Sequence, residues 1–191
     1  MHPGWRFFYL LALFVGALTP VSATPSSPQQ SHWLVEPSPD EPQLQTAVLK
    51  GNSRHNTKTA EALLAISCHP GSPMRMSLVI PTNRLGFNAD DYEGPSATTS
   101  GPLRLITGKR APISFPVHGW GSVRSLQGDS WVFEFGMKIN KTELLYWLGE
   151  AAQGQTLTLT LPPHAGNAPL IAEFVLPTND GGLRKVTGPC L

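Results

Sequence analysis

The side chains able to do chemistry in this chain are few and mostly isolated. His69, Met74 and Met76 offer an imidazole and two thioethers close in sequence, a donor set that suits Cu(I). Met74 and Met76 nevertheless fall on the same strand face as Leu78 and Ile80, which assigns them to a core. His55, His118 and His164 stand singly, with no partner at zinc-ligand spacing. A nucleophilic serine needs a base within hydrogen-bond reach and a third group to orient that base. Ser67 or Ser130 with His118 and Asp129 would supply the residue types, but no G-x-S-x-G elbow is present, and Ser130 lies where turns favour serine. Asp90, Asp91 and Glu93 lack the spacing of a calcium loop and read as a solvated loop. Glycine-rich phosphate motifs are absent. The residues therefore imply no metal and no cofactor, and they form no convergent catalytic set, which points to a protein that acts by binding.

Two stretches are candidates for partner contact. Asn83 to Gly101 is polar, carries Asp90, Asp91 and Glu93, and reads as a long loop or ragged edge strand, the kind of segment that often holds function in a compact domain. In His118-Gly119-Trp120-Gly121 an aromatic sits between two glycines, the signature of a turn. His118 and Trp120 then either anchor a partner or fold back as a plug over the end of the domain. Asn140-Lys141-Thr142 matches the N-glycosylation acceptor, although Asn140 is equally explained as a helix cap.

The N-terminus sets the compartment. Arg6, the apolar run Phe7 to Leu18 and the small residues Val21, Ser22 and Ala23 make residues 1–23 a secretory signal peptide, with the mature chain starting at Thr24. The apolar run is short for a membrane span, and no cysteine follows the cleavage point, so no membrane anchor is expected after processing. A periplasmic or secreted location follows. Lys and Arg number 14 and Asp and Glu 13; with Arg6 in the leader, the mature chain is charge-balanced and has no basic stripe for nucleic acid. Cys68 and Cys190 are an even pair in an exported chain and should form a disulfide; a reactive dithiol would be expected at C-x-x-C spacing, which is missing.

The elements that must position these residues are legible from periodicity. Residues 24–41 are rich in Pro, Ser and Gln and form a flexible arm in which Trp33 to Val35 can add a first strand, with Trp33 buried. Residues 42–191 are one domain. Thr46 to Lys50 is a possible strand and Gly51 to Lys58 a polar connection. Ala62, Leu64, Ile66 and Cys68 alternate, as do Met74, Met76, Leu78 and Ile80 after the turn formers of 69–73: a hairpin. Leu103 and Leu105 form a strand, and Ile113 to Val117 another, which Pro112 and Pro116 confine to an edge. After a short strand at Val123 to Leu126 and a turn at 127–130, Trp131, Phe133, Phe135, Met137 and Ile139 alternate on one face. Asn140 and Glu143 then make a capping box for a helix whose apolar positions Leu144, Leu145, Leu148, Ala151 and Ala152 run up to Gly154. Two further strands, around Leu157 to Leu161 and Leu170 to Leu176, flank a turn with Pro163, Gly166 and Asn167, and a short helix from Gly181 to Val186, capped by Asp180, leads to Cys190. The sum is a mainly β, antiparallel sandwich or open barrel, with one packed amphipathic helix, a short C-terminal helix and one disulfide.

Leu64-Ala65-Ile66-Ser67-Cys68, followed by an alternating strand, and Phe174-Val175-Leu176 with Gly182-Leu183-Arg184-Lys185-Val186 before Cys190, carry a resemblance over Ala62 to Cys190. In these positions the chain resembles type VI secretion-associated periplasmic proteins and, more distantly, the invasion-associated locus B family. It departs from them in its 83–101 loop and Pro-rich arm. The resemblance implies a soluble, non-enzymatic periplasmic β-sandwich tied to envelope or secretion biology, and it brings no catalytic residues. The export signal, the well-specified core and the lack of a convergent titratable set lead to the expectation of binding to a protein of a bacterial envelope. An immunity or inhibitor protein against a periplasmic hydrolase, with the acidic loop entering the enzyme's cleft, is the other form of a binding role. Metal handling through His69, Met74 and Met76 and a small hydrolase with His118 as base are the rival classes.

Overall fold

The computed structural model describes residues 31–37, 44–94, 102–126, 129–162 and 168–191. The expected signal peptide, most of the 24–41 arm, residues 95–101 of the long loop, Gln127-Gly128 and the turn with Pro163, Gly166 and Asn167 lie outside the described residues.

Among the described residues ten strands make one sheet that curls into an open barrel, the second of the two expected architectures. In chain order they are β1 Leu34–Pro37, β2 Gln45–His55, β3 Lys58–Ser67, β4 Arg75–Ile80, β5 Leu103–Thr107, β6 Ile113–Phe115, β7 His118–Leu126, β8 Asp129–Lys138, β9 Thr156–Leu161 and β10 Leu170–Val175. All strand pairs are antiparallel, in the order β6-β5-β9-β10-β2-β3-β4-β8-β7. β2 is long enough to hold two partners on one edge, β1 against Gln45 to Val48 and β10 against Asn52 to Arg54. The two ends of the sheet, β6 and β7, are consecutive in the chain and separated by Pro116 and Val117 alone. A single bent segment thus serves both edges, which requires the sheet to curl until they meet. Pro116 suits the bend because it has no amide to leave unpaired.

The period-2 apolar residues face the inside of this curl. Leu64, Ile66, Met76, Leu78, Phe135, Leu157, Leu159, Ala172 and Phe174 belong to one buried cluster. A smaller cluster of Val48, Leu63, Ala65, Val79, Leu126 and Val132 occupies the alternate positions of β3, β4 and β8, so the centre of the sheet is apolar on both faces. Leu126 reaches this second cluster through a bulge between Val123 and Leu126, which increases the local twist of the β7–β8 ribbon.

Two readings of polar or glycine-rich sequence are corrected. The segment from Gly51 to Lys58 is not a connection but the second half of β2, turning into β3 at Asn56, whose φ is 54°. Its inward polar side chains have partners: Ser53 Oγ donates to the Ala60 carbonyl at 3.0 Å, and His55 Nδ1 donates to the Leu85 carbonyl at 3.2 Å. Likewise His118-Gly119-Trp120-Gly121 is not a turn; it is regular strand at the start of β7, with Gly119 opposite Phe135 and Gly121 opposite Phe133.

Three short helices close the ends: α1 Thr82–Leu85, α2 Lys141–Trp147 and α3 Gly181–Thr187. Asn140 caps α2 by accepting the Glu143 amide at 2.7 Å. The helix stops at Trp147 rather than running to Gly154, because Gly149 is extended (ψ 156°) before a separate 3-10 turn at Glu150–Ala152. Leu145 and Ala151, expected on the buried stripe, face outward. At α3 Asp180 is the N-cap residue as expected, but its side chain makes no cap bond: Asn179 Oδ1 accepts the Gly181 amide at 2.9 Å, while the Asp180 carboxylate pairs with Arg184 at 2.7 Å. Leu183 and Val186 of α3 are buried against β1, β2 and β3, and Trp33 is buried as expected. Cys190 follows α3 and is bonded to Cys68 at the end of β3, with Cα atoms 6.1 Å apart and a sequence separation of 122.

In the chain-entropy view a cross-link of that span removes about 4 to 5 kcal/mol of unfolded-state freedom, and realised gains are commonly smaller. A Cys68→Ser/Cys190→Ser double variant is therefore expected to lose roughly 2 to 5 kcal/mol in urea unfolding. Coincident midpoints for the oxidised parent and the variant would show that the link does not constrain the fold.

Candidate functional site

Residues 82–94 are not the polar loop their composition suggests. Leu85, Phe87, Ala89 and Tyr92 are buried, and they cross the mouth of the barrel. Phe87 meets His55 edge-on at 5.3 Å between centroids and lies 6.2 Å from Tyr92, whose ring meets Phe135 at 5.3 Å and 79°. Phe133 continues the row at 4.7 Å from Phe135. Aromatic pairs at these distances and tilts add about 0.5 to 1.5 kcal/mol each beyond their burial. Tyr92, 1% exposed, ends the 3-10 turn Asp90–Tyr92 and pins it to the barrel, its hydroxyl donating to the Pro162 carbonyl at 3.4 Å. Burial, and secondarily the Asp91 carboxylate, push the Tyr92 phenol above its ordinary value of 10.0.

Glycines on β7 seat aromatic rings from β8. A side chain at Gly121 would collide with the Trp131 ring, one at Gly119 with Phe133, and one at Gly136 on the opposite face with Trp120. Each ring reaches diagonally across the ribbon to lie on a bare backbone, so the glycines are required for the close approach rather than for a turn. Trp131 shares the inward face of β8 with Phe133 and Phe135, yet it is 47% exposed, because it lies at the barrel rim where the inner face opens to solvent.

The inner side of this ribbon and the 82–94 segment enclose an open groove of about 220 Å³. Trp131, Phe133 and Gly121 line one wall, and Phe87, Asn88, Asp90 and Glu93 the other. Asn88 Oδ1 accepts the Asp90 amide at 2.9 Å, which fixes the turn that presents the carboxylate. Glu93 forms an isolated parallel bridge with Gly119, so the acidic segment touches β7 directly.

The structure thus brings together two regions that the sequence offered separately. Asp90 and Glu93 are exposed on the groove, and Asp91 is half-buried beside them. Trp120, 41% exposed, and His118 lie on the other face of β7, where Trp120 is directly opposite Glu134. Trp120 therefore combines the two readings: its ring rests on Gly136, yet a large part remains open to solvent. Met74 and Met76 are buried in the main core, while His69 is exposed and contacts the Pro70 carbonyl. Among the described residues no three His, Cys, Asp or Glu side chains are grouped so as to hold a metal, and no described helix is long and apolar enough to cross a membrane.

Sequence reasoning missed Trp131 as a rim residue; the spaced glycines of β7, which leave one strand face bare, were the available signal. It also missed the buried carboxylate of Glu143. Instead of returning to the Asn140 amide as a capping box would, Glu143 accepts from Thr107 Oγ1 at 3.0 Å, Trp147 Nε1 at 3.1 Å and Arg110 Nη1 at 2.8 Å. Arg110 in turn stacks 3.9 Å from the Tyr146 ring centroid. These contacts tie α2 to the β5–β6 turn, away from the groove, and serve packing.

A solved structure, invasion associated protein B from Bartonella henselae, is similar over 84% of this chain and 95% of its own, at 12% identity and a TM-score of 0.47. No protein-family profile and no curated protein sequence matches the chain.

The raised Tyr92 ionisation has a signed consequence. Its stabilising contribution is complete below about pH 10, the unfolded value, and is lost as pH rises through the higher folded value. Urea midpoints measured from pH 8 to 11.5 should fall more steeply for the parent than for Tyr92→Phe. Parallel curves would mean that Tyr92 is not held in the barrel mouth.

Proposed function

We propose that this chain is an exported, non-enzymatic accessory protein of a bacterial envelope, and that it acts by binding another protein through the groove between residues 87–93 and the β7–β8 ribbon. The observation that carries the proposal is Trp131: a large aromatic, half exposed, held in place over Gly121 with Asp90 and Glu93 across the groove. Tryptophan is the residue type most enriched among interface hot spots, and a preset ring avoids the cost of ordering a side chain on binding. The leader-like sequence of residues 1–23 and the Cys68–Cys190 disulfide support an oxidising, exported setting. A role connected with secretion is the finer version of this reading.

An inhibitor that inserts an acidic loop into an enzyme cleft fits less well. Tyr92 holds the acidic turn down against the barrel, so Asp90 and Glu93 border a recess instead of projecting from a finger.

The test is capture from envelope extract with the oxidised mature protein as bait and Trp131→Ala as its matched control. One dominant protein should be retained by the parent and reduced at least tenfold by the variant, with the variant's unfolding midpoint little changed because the ring is half exposed. Equal capture by the two baits would remove Trp131 and its groove from the binding role; recovery of no protein by a folded bait would count against the binding class itself.

A further inference from the structure

The two ends of the sheet differ in how they are protected. β6 is three residues long and flanked by Pro112 and Pro116, devices that prevent further strand pairing. β7 has nine residues and no proline, and among the described residues its outer edge pairs with another segment only through the bridge from Glu93 to Gly119. That bridge shows that the edge accepts an extended segment. Gly94, next in the chain, has φ 77° and is itself off the extended path. The bulge between Val123 and Leu126 limits the regular edge to Gly119 to Val123, where Val123 is 79% exposed.

This short edge is flanked by matching chemistry on its two faces. On the inner face Trp131 lies over Gly121, with Asp90 and Glu93 across the groove. On the outer face Trp120 lies over Gly136 and stands opposite Glu134. Neighbouring residues of an added strand point to opposite faces, so each of two consecutive side chains would find an indole and a carboxylate. Lys and Arg complement both groups at once, through the ring face and the negative charge.

We propose that the edge of β7 from Trp120 to Val123, next to the Glu93–Gly119 bridge, receives an extended segment of a partner protein as an added strand, and that consecutive basic residues of that segment occupy the Trp131 groove and the Trp120 face. This rests on the binding reading above and assigns its partner's chemistry. Main-chain hydrogen bonds along β7 supply the pairing, and the two basic side chains fix the register.

The experiment titrates the oxidised mature protein with a capped eight-residue peptide of alternating Thr and Val carrying a central Arg-Lys pair. Two controls replace the pair with Gln-Gln or N-methylate alternate amides on the pairing edge. The basic peptide is expected to bind and to shift or protect the amides of Trp120 to Val123. Affinity should fall at least fivefold with Gln-Gln, at least tenfold with N-methylation, and at least fivefold in an Asp90→Asn/Glu93→Gln protein. No binding of the basic peptide, or equal binding of the N-methylated one, would overturn strand addition; equal binding of the Gln-Gln peptide would overturn the basic partner. Trp131-dependent capture from the envelope combined with a failed peptide would reject this inference and leave the binding reading standing.

Discussion

The fold depends on closing one sheet with one bent segment. Because β6 and β7 are joined by Pro116 and Val117 but lie at opposite ends of the strand order, the other strands must curl far enough to bring the two edges together. The curl gives the apolar face an inside, and the large β8 side chains Phe133 and Phe135 fill it. It also leaves a mouth. Leu85, Phe87 and Tyr92 cover that mouth from a segment with no long element of its own, so the acidic turn gains its order from side-chain burial rather than from backbone pairing. The aromatic row from His55 to Phe133 couples this cover to β2 and β8, the elements on either side of the opening.

The site follows from the same closure. An edge strand that must run close to its neighbour's aromatic rings cannot carry inward side chains, and Gly119 and Gly121 meet that requirement. Their cost is a weak strand, since glycine gives up more freedom on ordering than other residues and offers nothing to pack. The rings of Phe133 and Trp131 fill the space. Trp131, placed beyond the last covering residue, remains partly wet. A ring in that position is held in a set orientation but not consumed by the core, which makes it available to something outside.

Much of this was legible in the sequence. Period-2 alternation located β3, β4, β5, β8, β9 and β10, the two prolines placed β6 at an edge, and the two cysteines announced their bond. What failed has common physical roots. Asn52 to His55 read as loop because their side chains are polar, yet Ser53 and His55 point inward with hydrogen bonds that only the folded chain supplies. Glycines at 119 and 121 read as turn because local sequence cannot tell conformational freedom from close approach. Leu85, Phe87 and Tyr92 are separated by polar and small residues with neither helical nor strand spacing, so no periodicity marked them as buried. Asp90, Glu93 and Trp120 were singled out from composition; their nearness to one another through β7 is a product of long-range topology, which spacing in the chain does not encode.

Among the described residues β7 has an unpaired edge from Trp120 to Val123 at a preset aromatic and acidic mouth. Native-state amide exchange by NMR on the oxidised protein without partner tests it most directly. An open edge requires alternation along Trp120 to Val123, with amides aimed at β8 protected and those aimed outward exchanging at nearly the rate of open solvent, while β3 is protected throughout. Uniform protection along β7 would mean that its edge is already occupied in the free protein, and the proposed docking surface would not exist.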